Sequence, residues 1–149
     1  MKVHSVVALF IAAAILYLAR EVLIPFALAA NQLALANIAP PEEKATRFAA
    51  LGDRYTELGD RPTAREMYRE ALQHRPGDHL LLTKFLNLVA EEGDWSYSLD
   101  LVQRLIDTEQ DKKVRGRYRH LAAQISRDEL DDHDKAVALL DLAIEDDPT

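Results

Sequence analysis

Residues 45–78 read ATRFAALGDRYTELGDRPTAREMYREALQHRPGD, and their spacing decides the fold. Phe48, Leu51, Gly52 and Tyr55 recur at steps of 3, 1 and 3, which sets them on one face of a helix. Gly59-Asp60 interrupts the pattern. Ala64, Tyr68 and Ala71 then follow at steps of 4 and 3, one face of a second helix that Pro76 ends. Gly52 and Ala64 carry almost no side chain, so the two helices can approach closely. Ala71 leaves space for whatever packs next. The stretch predicts a helical hairpin.

Working outward, the hairpin returns. Gly59-Asp60 recurs as Gly93-Asp94, and Leu130-Asp131-Asp132 takes the same role further on. In residues 79–112 the first apolar stripe is Leu82, Phe85, Leu86 and Val89. Ser98 is the small residue of the second helix, backed by Val102 and Leu105. Leu86 stands where a small residue is expected, which predicts a wider spacing in this pair. In residues 115–149 the 3-1-3 steps return in Tyr118, Leu121, Ala122 and Ile125, followed by Ala136, Leu140, Ala143 and Pro148. This third unit is slightly longer, through Arg127-Asp128-Glu129-Leu130.

The order aromatic, Leu-Gly, Tyr, Ala, aromatic, Ala, Pro, returning with a period of about 34 residues, resembles the tetratricopeptide repeat. The resemblance covers residues 45–149, as units 45–78, 79–112 and 115–149, with strong outer units and a weak middle one. It implies an all-α chain whose paired antiparallel helices stack into a short right-handed solenoid. No single pair can bury its own apolar face, and three units is near the minimum for stability.

The head differs in kind. Lys2, Arg20 and Glu21 are the only charges in residues 1–41, a balance of +1; the whole chain carries −7, which leaves −8 on the rest. Val6–Ala19 is an uncharged run of fourteen, too short to span a bilayer, for which about 20 apolar residues are needed. Val6–Ala30, at 25 residues, is long enough with some tilt. Arg20 and Glu21 would then each cost roughly 2.5–3.5 kcal/mol at the helix centre, less when they snorkel. Three readings compete: a membrane anchor over residues 1–30, a secretory signal cut near Ala27-Leu28-Ala29, and a buried or interfacial helix. Pro25 kinks or ends a helix under each of them. Residues 16–29, LYLAREVLIPFALA, also resemble the first span of autoinducer-exporter-type permeases. Only membrane insertion carries over from that resemblance, because Asn31-Gln32 and Pro40-Pro41 follow where that family continues into further spans. Residues 31–44 read as an extended, proline-stiffened linker. Lys2 ahead of the apolar run and Glu42-Glu43 after it favour a cytoplasmic N-terminus with the repeats outside the cytoplasm, periplasmic where there are two membranes. The alternative topology keeps the repeats cytoplasmic.

Composition narrows the chemistry. With 48% hydrophobic and 29% charged residues the chain is neither disordered nor low in complexity. It has no cysteine, which removes disulfides, zinc–thiolate sites and thiol nucleophiles. A net charge of −7 supplies no basic footprint for nucleic acid. The five glycines stand singly, so no phosphate loop forms. Ser5, Ser96, Ser98 and Ser126 lack a neighbouring His with a carboxylate partner. His74 and His79 flank a proline turn, a spacing that does not fix two imidazoles for a metal, and His133 sits singly between aspartates. Asp131-Asp132 and Asp146-Asp147 fall at helix ends, where caps explain them. The expectation is a chain without catalytic residues, metal or cofactor.

What remains is binding. The family resemblance implies a concave face lined by the first helices: Ala49, Asp53, Thr56 and Glu57; Thr83, Asn87, Ala90 and Glu91; Arg119, Ala123, Ser126 and Arg127. A protein or peptide ligand of mixed charge suits acids near one end and arginines near the other. Some family members clamp the carboxylate tail of heat-shock chaperones with Lys and Asn; Ala49 and Asp53 in the first two clamp positions disfavour that ligand here. Three functions stay open: a membrane-tethered adaptor, a scaffold subunit that self-associates or braces a larger membrane assembly, and a secreted protein with a cleaved signal. Leu139 and Leu142 are expected to form an exposed apolar patch on the last helix, covered by a second copy, a partner helix or further repeats.

Overall fold

A computed structural model describes residues 2–147, with the side chains of residues 2–6, 8, 9 and 42 left undescribed. Pro148 and Thr149, with which the third pattern closes, lie outside the described residues. Every regular element among the described residues is helical. The apolar head is α1 (Lys2–Leu18), a π-helical turn (Ala19–Leu23) and α2 (Ile24–Asn37). The charged body is α3 (Pro41–Glu57), α4 (Arg61–His74), α5 (His79–Glu91), α6 (Trp95–Thr108), α7 (Lys112–Asp128) and α8 (His133–Asp146).

Pro25 does not end the first helix, one of the two outcomes expected of it. Its missing N–H and its ring fall against the carbonyl of Glu21, one turn back. The π turn lies at that place, where the Ile24 N–H reaches back to the Ala19 carbonyl. Widening the turn accommodates the proline while the helix continues. Phe10–Asn37 is therefore a single helix of 28 residues, apolar enough to cross a membrane. At 1.5 Å per residue it is about 42 Å long, more than the roughly 30 Å of a hydrocarbon core.

The surplus has a use. Ala29 and Ala36 are fully buried and Leu33 packs against the body core. At steps of 4 and 3 these three form one stripe on α2, turned toward α3. The joint is only Ile38-Ala39-Pro40, so α3 runs antiparallel to α2. This corrects the linker expected over residues 31–44: most of it is helix, and the body begins with the last turns of the apolar rod.

Aspartate starts five of the body helices. Asp60, Asp78, Asp94, Asp111 and Asp132 each accept a backbone N–H of the following helix, from Thr63, Leu81, Tyr97, Val114 and Lys135 respectively. Gly59 (φ +76°) and Gly93 (φ +74°) end α3 and α5 in the left-handed region that glycine tolerates. At both sites the next residue donates back to the end of the preceding helix, Asp60 to Tyr55 and Asp94 to Val89, at 2.9 and 3.1 Å. The same turn thus closes α3 and α5. The third turn is wider: Asp131 takes φ +55° without being glycine, and Asp132 reaches back to Ser126.

Consecutive helices pack on one another from α2 to α8. α3 and α4 approach closely because a Cβ on Gly52 would lie 2.7 Å from the Tyr68 ring. α5 and α6 are joined less intimately, as Leu86 in place of a small residue leads one to expect. They nevertheless hold the centre of the core, since Leu82, Phe85, Val89, Leu101, Val102 and Leu105 have no exposed surface. The pair with the weakest motif is apolar on more of its girth because it is covered on both sides.

Candidate functional site

The open side of α3 and α5 carries a depression of about 280 Å³. Ala45, Thr46, Ala49, Ala50 and Asp53 of α3 line one wall, and Leu80, Leu81 and Lys84 of α5 line the other. Arg75 and Asp78 close one end from the α4–α5 turn. Small residues at 45, 49 and 50 leave the volume, while Leu80, 68% exposed, gives it an apolar lip.

Asp53 is the electrostatic hub. It accepts the Tyr68 hydroxyl at 2.7 Å and the Lys84 ammonium at 2.6 Å. Burial first, then the bond to Asp53, pushes the Tyr68 phenol above its ordinary pKa, so it stays a donor. Tyr68 is in turn packed on Phe85, with ring centroids 5.6 Å apart. The hub therefore ties α3, α4 and α5 together beneath the depression. Both charges remain partly open, at 40% and 38% side-chain exposure, so a ligand can exchange with either partner. An apolar side chain beside a charged or amide group fits this wall.

Of the residues expected on the groove, Ala49 and Asp53 line the depression. Thr83 and Asn87 are exposed on α5, Thr83 bonding back to the His79 carbonyl. Glu57 pairs with Arg54 at 3.1 Å, and Glu91 with Arg61 at 3.3 Å. Arg127 pairs with its neighbour Asp128 at 2.6 Å. Arg119 is a correction: it turns to α8, donating to the Leu142 carbonyl at 2.8 Å and pairing with Asp146 at 2.6 Å. Ala123 and Ser126 are buried, so they too leave the groove. The reason is that α7 packs on both sides. Gly116, 3.3 Å from the Ala143 carbonyl by its absent Cβ, admits α8 on the face where groove residues were expected.

Leu139 is a second correction. It is 8% exposed, while the open apolar residues of α8 are Val137 (59%), Leu142 (41%) and Ile144 (62%). Leu140 packs against the core as expected, and Leu139 joins Ala136 in facing inward, with the matching Met67 of α4 buried likewise. Sequence reasoning missed Lys84, Leu80 and the α4–α5 turn. Lys84 stands beside a groove position, and its reach to Asp53, 31 residues away, is visible only once α3 and α5 are neighbours. The histidines that flank the proline turn are engaged separately: His74 stacks on Phe48, and His79 faces Thr108, Glu109 and Tyr118.

Arg115 and Arg119 together hold Asp146 at the end of α8. The Arg115 bond, with Arg119 beside it, keeps the Asp146 carboxyl below its usual range. Such a group stabilises above the unfolded pKa of about 3.9 and ceases to do so as pH falls through its lower folded value. Arg119→Glu is therefore expected to lower the melting temperature at neutral pH. That difference from the parent should shrink once the medium is acidic enough to protonate Asp146. Equal melting at neutral pH would remove this clamp from the account.

In comparisons with known proteins, no family model matches this sequence and no curated protein is significantly similar to it.

Proposed function

We propose that the chain is a membrane-tethered adaptor of the tetratricopeptide-repeat kind, non-catalytic, that holds a protein or peptide segment against the open side of α3 and α5. Three helix pairs, α3–α4, α5–α6 and α7–α8, are the repeats in this reading. The matching turns at Gly59-Asp60 and Gly93-Asp94, and the Gly52–Tyr68 contact, support it. The observation that carries the binding role is the depression around Ala49 and Leu80 with the partly open Asp53–Lys84 pair at its base. Mixed charge over an apolar lip selects for orientation more than for raw affinity.

The tether follows from the head. Between Val7 and Leu28 the described large apolar side chains are exposed, and only from Ala29 onward does one face turn to the body. A span ending near Leu28 leaves Ala29–Asn37 as a short stalk that seats α3 beside the bilayer. Lys2 ahead of the span favours an N-terminus in the cytoplasm and repeats outside it. Cleavage near Ala27-Leu28-Ala29 would cut inside α2 at Ala29, the first residue of its packed stripe, which favours a retained anchor over a removed signal.

The test is affinity capture of the full chain from membranes beside Ala49→Trp, which fills the depression. Partners held there are lost from the variant while the chain remains membrane-bound and helical. An unchanged set of captured proteins removes the groove from the proposal.

A further inference from the structure

We infer that the outer face of the α7–α8 pair is a self-complementary docking surface for a second copy of this chain. The face has an apolar centre. Val137 and Ile144 are 59% and 62% exposed, with half-buried Leu140 between them at helical spacing. Leu140 and Ile144 border a depression of about 290 Å³ whose other side is Gly116, Arg117 and His120 of α7.

Its two edges carry opposite charge. Arg117 is exposed on the α7 edge and, among the described residues, is the one arginine with neither an ion pair nor a hydrogen bond. Asp134, Asp141 and Glu145 are exposed on the α8 edge and likewise hold no ion pair among the described residues. Elsewhere the arginines of the body are matched within the chain; here base and acids face outward on either side of an apolar stripe.

The register makes these edges complementary. Gly116 lies against Ala143 and Asp146, and Arg119 reaches Leu142. With α7 and α8 antiparallel, Arg117 is then level with Ile144, and His120 with Asp141. A two-fold axis parallel to these helices lays α7 of one copy over α8 of the other at unchanged height. Arg117 then meets Asp141 and Glu145 of the second copy, the contact occurs twice, and the apolar stripes close on each other. A ligand of one charge sign would instead meet like charge along one edge.

The surface is independent of the α3–α5 groove, and the experiment does not use that groove. The full chain in detergent is followed by sedimentation over a dilution series, as the parent, Arg117→Glu, and Arg117→Glu with Asp141→Lys and Glu145→Lys. The parent is expected to dimerise, the single variant to dissociate at about tenfold higher concentration or more, and the triple variant to recover. Far-ultraviolet dichroism checks that each variant is folded. A parent that stays monomeric overturns the inference. So does a dimer unmoved by Arg117→Glu, which would place the contact in the membrane helices, or a folded triple variant that fails to recover.

Discussion

Phe85→Ala is expected to melt the body while leaving the apolar head helical. Phe85 has no exposed surface and touches rings on both neighbouring helices, Tyr68 at 5.6 Å and Tyr97 at 5.3 Å between centroids. Removing a buried phenylalanine costs about 3–5 kcal/mol, from lost transfer energy and the cavity left behind. Domains of this size hold only about 5–15 kcal/mol in total. The loss also undercuts the groove, because Tyr68 rests on Phe85 and donates to Asp53. Trp95, the single tryptophan, sits at the start of α6 near Tyr97 and reports the change by fluorescence without interference from the head. A variant that melts within about a degree of the parent would place the core elsewhere.

Gly52→Ala is the second. In an ordinary helix this change would help by nearly ~1 kcal/mol. Here the new methyl would stand 2.7 Å from two carbons of the Tyr68 ring, closer than real contacts allow. The ring cannot simply swing aside, since its hydroxyl is bonded to Asp53 and its face packs on Phe85. Overpacking of this kind costs about 1–3 kcal/mol. The net expectation is destabilisation, together with a weaker Tyr68–Asp53 bond and an altered groove base. A more stable Gly52→Ala would mean that α3 and α4 are not in close contact at this point.

The steps of 3, 1 and 3 around Phe48 and Tyr118 were enough to read the helices and their turns, because burial in a helix layer leaves a one-dimensional trace. The aspartate cap of α8 was legible for the same reason: Asp132 acts within its own turn. What escaped were relations between distant segments. Ala29, Leu33 and Ala36 look like any apolar helix until α3 is known to lie beside them. Arg119 carries no sign that its partner is Asp146, at the far end of the next helix. Packing of α7 against both α6 and α8, with Gly116 admitting α8, places Ala123 and Ser126 inside. Leu139 was misplaced because the inward face of α8 is wide enough to take both 139 and 140, which only packing reveals.

The central claim is that a partner lies in the depression between α3 and α5 while the chain is held in the membrane. Site-specific photo-crosslinking of the membrane-bound full chain tests it most directly, with the reactive group placed in turn at Ala49, at Thr83 and, as a control, at Gln73 on exposed α4. The account predicts that one and the same partner is trapped from Ala49 and Thr83 and not from Gln73, and that filling the depression with Ala49→Trp abolishes the adduct from Thr83. Equal trapping from all three positions, or from Gln73 alone, would contradict it.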